Sequence, residues 1–296
     1  MDIVVLFGID METDVGSFSP FYEGVKQATP MLLELFAEKN VKGTFYYTGH
    51  AAKNNLESVR LVCETNNEIG CHSLYHETIG DELFQIPGLL PLLDEEVPLR
   101  VERATEWVEQ AAGFRPKSFR CPRLWGSTAV INALESLGYT SDSSYPMYYY
   151  RQQFAPYHPS KEDWTQKGDL NILEIPNFAD MVMNSNDPEL ERDRDQWPLF
   201  RTKNAAALME RINTHIDFLN KKKLPVVLSF YFHPWEFIPC KKQYWFGEGG
   251  TCVQNFLVKG CGKKASREFS KLIDMLNEIG VTFATADEIA QDYSGR

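Results

Sequence analysis

At 296 residues and 43% hydrophobic composition, the chain is long enough for one large α/β barrel or two ordinary domains, and too apolar to be disordered. Its formal net charge of −11 argues against a nucleic-acid backbone or an anionic membrane as partner and leaves neutral or cationic ligands open. No apolar stretch reaches membrane-spanning length, and the six cysteines form no CxxC pair, which suits reduced thiols in a cytoplasmic protein.

In chain order, residues 3–9 form a continuous apolar run, expected of a strand buried on both faces. No basic segment precedes this run and it ends on an acid, so it reads as the first core strand rather than a signal segment, and a cytoplasmic location is expected. Residues 29–39 repeat apolar side chains at helical spacing, with Pro30 in the first turn. The pattern then predicts a strand at 43–47, a helix at 56–66 and a strand at 68–72. A helix at 97–113 ends on glycine, a strand follows at 118–121, and the helix 127–138 has a serine cap and a terminal glycine. Strands are expected at 139–142, 170–175, 225–232 and 281–284, and helices at 202–223, 265–280 and 286–292. This alternation predicts a parallel sheet with right-handed crossovers in a single domain over 1–296. Two stretches, 145–168 and 239–264, fit no element; loops this long are usually functional, and both are expected to frame a substrate cleft.

The chemistry collects at strand ends. The first run delivers Asp10, with Glu12 and Asp14 just beyond; the third delivers His72, with His76 four residues on; the late run 225–232 delivers His233. A parallel α/β barrel builds its active site at the C-terminal ends of its strands. Two imidazoles and a carboxylate form a metal-binding triad with open positions, and a second acid stays free to take a proton. Either Glu12 or Asp14 can be that carboxylate, and acids after a strand also cap helices. Arg120, followed closely by Pro122, can pair with a site carboxylate and keep it ionised. Asp142 ends another strand, where a helix cap or Asx turn is an equal alternative. Trp125, Tyr145 and Trp235 can stack on sugar faces, although loop aromatics more often simply pack. His50, His158 and His215 lie away from site strand ends and read as structural. Cys240, Cys252 and Cys261 cluster in one loop, at spacings irregular for a structural zinc. There is no G-x-S-x-G elbow and no phosphate-binding glycine motif.

Taken together these residues resemble the polysaccharide deacetylases of the NodB homology fold, with motifs in the family's order across nearly the whole chain. Asp10 and Glu12 look like its first motif, His72, Ser73 and His76 fill its H-[ST]-x-x-H, and Arg120 with Pro122 looks like its R-x-P. Asp142 in GYTSDSS resembles its fourth motif and His233 its last. Adjacent aspartates are usual in the first motif; the spacing here is similar to a cytosolic branch that includes peptidoglycan deacetylase-like proteins and relatives of metal-free allantoinases. The resemblance implies a distorted (β/α) barrel of seven or eight strands. It also implies a divalent ion, Zn2+ first with Co2+, Mn2+ or Ni2+ as alternatives, held by Glu12, His72 and His76. Asp10 is then the general base, His233 the general acid, and Arg120 and Asp142 tune them. The expected reaction is deacetylation of an N-acetylated sugar, either a small molecule or an oligosaccharide, with monomer and homo-oligomer both open. Hydrolysis of a small cyclic amide or ureide and a non-catalytic carbohydrate-binding barrel are the alternatives.

Overall fold

The computed structural model describes residues 2–86 and 89–294. Eight parallel strands form one sheet: β1 (Ile3–Met11), β2 (Thr44–Tyr47), β3 (Glu68–Cys71), β4 (Ser118–Phe119), β5 (Ser141–Asp142), β6 (Leu173–Glu174), β7 (Val226–Phe232) and, after the hairpin β8 (Gln243–Phe246) and β9 (Gly249–Cys252), β10 (Thr282–Phe283). β1 is the hub. It pairs with β7 from Ile3↔Val226 to Ile9↔Phe232 along one edge. The other edge takes β10 at Val4–Val5 and β2 at Gly8–Met11. The sheet then runs β2-β3-β4-β5-β6, and across the gap between β6 and β7 Asn177 pairs in parallel with Ser229. The expected distorted barrel is therefore present, with short strands on its far side. β4, β5 and β6 have only two residues each, shorter than the apolar runs suggest, because their flanks turn at once into loops.

Helices cover the outside. The first, Glu23–Lys39, starts six residues earlier than its apolar periodicity indicates and carries Pro30 in its interior. Pro30 is exposed, so the hydrogen bond it cannot make is lost on the solvent face. Asn40 and Gly113 take the left-handed conformation at the ends of Glu23–Lys39 and Val97–Ala112. The helix expected from 202 begins instead at Ala205, capped by the Asn204 side chain, which accepts from Ala207 N at 2.9 Å. Stretch 239–264 is not structureless: β8 and β9 form an antiparallel hairpin with a two-residue turn at Gly247, where φ is +55°. Among the described residues no helix is long and apolar enough to cross a membrane.

Between the sheet and its outer helices lies an aromatic core. Phe269, on helix Lys263–Glu278, stands 4.7 Å from Phe232 and 5.2 Å from both Phe7 and Phe237 by ring centroids, and is fully buried. It ties the last long helix to the two central strands. Phe269→Ala should cost about 3–5 kcal/mol in urea unfolding, the scale for an aromatic removed from a packed core; a loss under about 1 kcal/mol would show that this helix is not anchored there.

Candidate active site

At the C-terminal ends of β1, β3 and β7 opens a cavity of about 560 Å³, whose wall includes Asp10, Glu12, His72, His76, His233 and Trp235. Glu12 follows β1, His72 follows β3 directly, and the turn after β3 bends back so that His76 faces Glu12 too. That turn is strained: Ser73 (φ +64°) and His76 (φ +65°) both sit in the left-handed region without being glycine. Glu12 Oε2 contacts His76 Nε2 and lies 3.7 Å from His72 Nε2. The ligand atoms of Glu12, His72 and His76 all fall within 4.8 Å of one another, and all three residues are buried. His72 Nδ1 sits 2.7 Å from the Arg120 carbonyl, which accepts its proton and turns Nε2, as a lone pair, toward Glu12. That Nε2 is buried and has no hydrogen-bond partner. An orphaned imidazole nitrogen beside a carboxylate and a second imidazole is the donor set of a first-row divalent ion, so these residues fit one. Burial pushes the Glu12 carboxyl up, but the imidazoles of His76, His233 and His72 outweigh it and hold it well below the usual carboxylate range.

Beneath this trio lies Arg120, completely buried. Its Nη1 donates to Asp10 Oδ1 at 3.0 Å, its Nε to the Ser143 carbonyl at 3.0 Å, and its Nη2 to Ser143 Oγ at 3.1 Å and Ser229 Oγ at 3.2 Å. The guanidinium also stacks over the Tyr46 ring at 4.5 Å. Gly8 makes the space: a Cβ there would lie 2.0 Å from Arg120 Nη1. Asp10 is thus fixed at the cavity wall with one carboxylate oxygen paired to a cation.

Across the cavity His233 follows β7, with Nε2 3.9 Å from Glu12 Oε1. Its ring stacks on Trp235 (centroids 5.0 Å, 25°), whose Nε1 donates to Glu12 Oε1 at 3.3 Å. His233 Nδ1 lies 3.0 Å from Glu236 Oε1, which also accepts from the His233 backbone N–H at 3.0 Å. Glu236 in turn pairs with Arg201, both fully buried. Burial pulls the His233 imidazolium down, but Glu12 and Glu236 oppose it and leave the pKa above the ordinary histidine value. Sequence reasoning passed over Glu236 and Arg201; the Glu three residues after a strand-end His, as in a capping box, is the signal that points to Glu236.

Other expected site residues are placed elsewhere. Asp142 does not reach His233: its carboxylate accepts from Ser144 Oγ at 2.6 Å and meets Glu174, one layer below the cavity. Burial pushes Asp142 up to about 6. Asp14 is engaged by the helix N-terminus, where Gly24 N donates at 2.8 Å and Glu23 N at 3.0 Å, so Glu12 and not Asp14 faces the histidines. Tyr145 is buried against Tyr150, Tyr157 and Trp164, and Trp125 lies buried edge-on to Phe84; neither lines the cavity, and only Trp235 of the three aromatics does. His50 bonds Tyr22, His158 meets the Ile172 carbonyl, and His215 packs between Phe178 and Phe218. Cys252 is exposed while Cys240 and Cys261 are half-buried, and among the described residues the cysteines join no metal-binding group. The stretch 239–264 does frame the cavity, through Val253, Phe256 and Leu257, whereas 145–168 contributes Tyr148. Arg123, Arg192, Asp195 and Trp197, none of them expected, complete the wall.

Residues 16–141, a span that includes His72, His76, Arg120 and Pro122 but not Asp10, Glu12, Asp142 or His233, match the family model described as polysaccharide deacetylase. Over 112 residues the chain is 26% identical to the peptidoglycan-N-acetylmuramic acid deacetylase PdaA of Bacillus subtilis, covering 38% of this chain and 39% of that protein. The curated relatives are matched over only 19% to 39% of their own length. Among solved structures, a protein of Mycobacterium smegmatis assigned to the polysaccharide deacetylases superposes with a TM-score of 0.63 at 18% identity, over 98% of this chain and 89% of that one. Puue allantoinase superposes with the same TM-score of 0.63 at 15% identity, over 99% and 90% of the two chains. At these identities the structural likeness speaks for the fold.

The Gly8–Arg120 fit is directly testable. Gly8→Ala should force the guanidinium off Asp10 and cost about 3–5 kcal/mol in chemical denaturation, the scale for breaking a buried charge pair. A variant as stable as the parent would mean that Arg120 can leave its place freely.

Proposed function

We propose that the chain is a metal-dependent hydrolase that removes an acetyl or related acyl group from the nitrogen of an amino sugar. One observation carries this reading. A single cavity brings together an unpartnered His72 Nε2 beside Glu12 and His76, an Arg120-paired carboxylate on Asp10, and a Glu236-oriented imidazole on His233. The match to the polysaccharide deacetylase family supports the same chemistry. Pure binding of a carbohydrate requires none of these groups in combination.

Glu12, His72 and His76 would hold the ion, which when bound supplies Lewis acidity toward an acyl oxygen and lowers the pKa of water. Asp10, whose Oδ1 accepts from Arg120, takes the proton of the attacking water as general base. The water oxygen bonds to the acyl carbon, the carbon–nitrogen bond breaks, and the nitrogen leaves with a proton from His233. Glu236 accepts from His233 Nδ1, so the Nε2 proton is the one presented to the cavity. Trp235 fixes the ring plane by stacking and holds Glu12 Oε1 by its indole N–H. The products are a carboxylic acid and a free amine.

The test is acetate release from a panel of N-acetylated sugars, with zinc content measured in parallel. About one ion per chain is expected, lost in His72→Ala and His76→Ala while circular dichroism stays native. Asp10→Asn should retain the ion and lose at least ~10²-fold in turnover, the usual scale for a general base. His233→Ala should abolish most amide hydrolysis yet spare an activated ester with a phenolate leaving group, which needs no proton. Full metal occupancy in both histidine variants, or equal losses on ester and amide, would overturn the corresponding role.

A further inference from the structure

Every acid on the cavity wall that faces the site is already engaged. Asp10 pairs with Arg120, Glu12 with His76, and Asp195 accepts from the Tyr231 hydroxyl. Two cations on the same wall, Arg123 and Arg192, form no carboxylate salt bridge among the described residues. Arg123 donates from Nη1 to the His76 carbonyl at 3.3 Å, and Arg192 bonds the Tyr148 side chain, a neutral partner. Among the described residues neither has a carboxylate within 4.0 Å: the nearby Glu191 is used by Arg151 and Arg194. Both guanidiniums rest on one aromatic pair. Arg192 lies over Phe84 at 4.5 Å, Arg123 over Trp125 at 5.8 Å, and the two rings meet edge to face at 5.0 Å. The backbone is strained to aim Arg123 inward, with φ of +60° at Arg123 and +61° at Leu124.

Resting on the amide-hydrolase reading of the same cavity, we infer that the substrate carries an anionic substituent, a carboxylate or a phosphate, which Arg123 and Arg192 bind while its N-acyl group faces Asp10 and His233. A guanidinium fork matches both oxyanions, and two of them stacked on neighbouring rings can face one oxyanion together. The chain's net charge of −11 works against an anion at long range. That field is screened beyond about 8–10 Å at ordinary ionic strength, so inside the cavity the local cations decide. Global charge alone points to neutral or cationic ligands, and this pair of arginines reverses the sign locally.

The experiment measures binding by calorimetry and acetate release in parallel, with zinc-loaded protein and three probes. These are N-acetylglucosamine as the neutral arm, N-acetylmuramic acid as the carboxylate arm and N-acetylglucosamine 6-phosphate as the phosphate arm. One charged probe should bind about 10- to 100-fold more tightly than the neutral one, the scale of charge-assisted hydrogen bonds. The preference should shrink as salt is raised, and the stronger arm identifies the anion. Arg123→Gln should reduce the ratio of charged to neutral affinity about tenfold, and Arg123→Lys should restore part of it. Arg192→Gln, an exposed position that leaves the strained turn intact, should reduce the ratio independently. Equal affinity for all three probes, or a ratio unmoved in both glutamine variants, overturns the inference while leaving the deacylation reading standing. Charged-probe binding without acetate release from any probe would support the anion site and count against that reading.

Discussion

The buried guanidinium of Arg120 is the constraint around which the site is arranged. It joins Asp10 on β1, Ser143 after β5 and Ser229 on β7, and its own carbonyl fixes the tautomer of His72 after β3. Four strands, β1, β3, β5 and β7, thus meet at one residue. A buried charge is tolerable only when its hydrogen bonds are made, and here the partners that satisfy it include the cavity carboxylate Asp10. The arrangement also sets a limit on the sequence. Gly8 can carry no side chain without displacing the guanidinium, so a position that looks like ordinary strand interior is fixed by a residue more than a hundred positions away.

A second arginine does the same on the opposite wall. Arg201 donates to the carbonyls of Leu257 and Lys259, at 2.8 and 2.7 Å, and pairs with Glu236, which holds His233. One charged chain therefore connects the acid side of the site to the segment beyond the β8–β9 hairpin. Burial pushes the Glu236 carboxyl up, but Arg201 and His233 outweigh it and leave it below its ordinary value. It stays an acceptor for His233 Nδ1, which keeps the Nε2 side of the ring toward Glu12 and the cavity. The position of the general-acid candidate thus depends on how the stretch 239–264 packs, and this links a loop without obvious core pattern to the geometry at the strand ends.

What the sequence disclosed follows from range. Strand and helix periodicity is local, so β1, β3, β7 and the long helices were legible from apolar runs and their caps. The two-residue strands were overextended because an apolar run continues into packed loop, as around Leu173–Glu174. Glu12, His72, His76, Asp10 and His233 were visible because metal-ligand and acid–base side chains at strand ends form an unusual pattern. Trp125 and Tyr145 misled because a bulky aromatic in a loop carries no mark of which way it faces, and both are turned into the core. Arg123, Arg192 and Trp197 were silent for the opposite reason: they reach the cavity only through the path of irregular segments, which no periodicity encodes. Asp142 stands out in the sequence and Glu236 does not, for a third reason. Both are acids near strand ends, and only the turn after His233 decides which one the imidazole meets.

The displaced Asp142 still has work in the layer below. It shares that layer with Glu174, whose Oε1 accepts from the backbone N–H groups of Ser144 and Tyr145 at 3.0 and 2.8 Å, while its Oε2 has no donor. Two carboxyls that close in a buried site cannot both ionise without strong repulsion. Burial pushes both carboxyls up, and repulsion from Asp142 adds to the push on Glu174. Arg120 opposes that push on Asp142. The cation therefore has an anionic neighbour on either side, Asp10 above and the carboxyl pair below. Asp10 is left in the cavity with its other oxygen unclaimed by the arginine, which is the condition a proton acceptor needs.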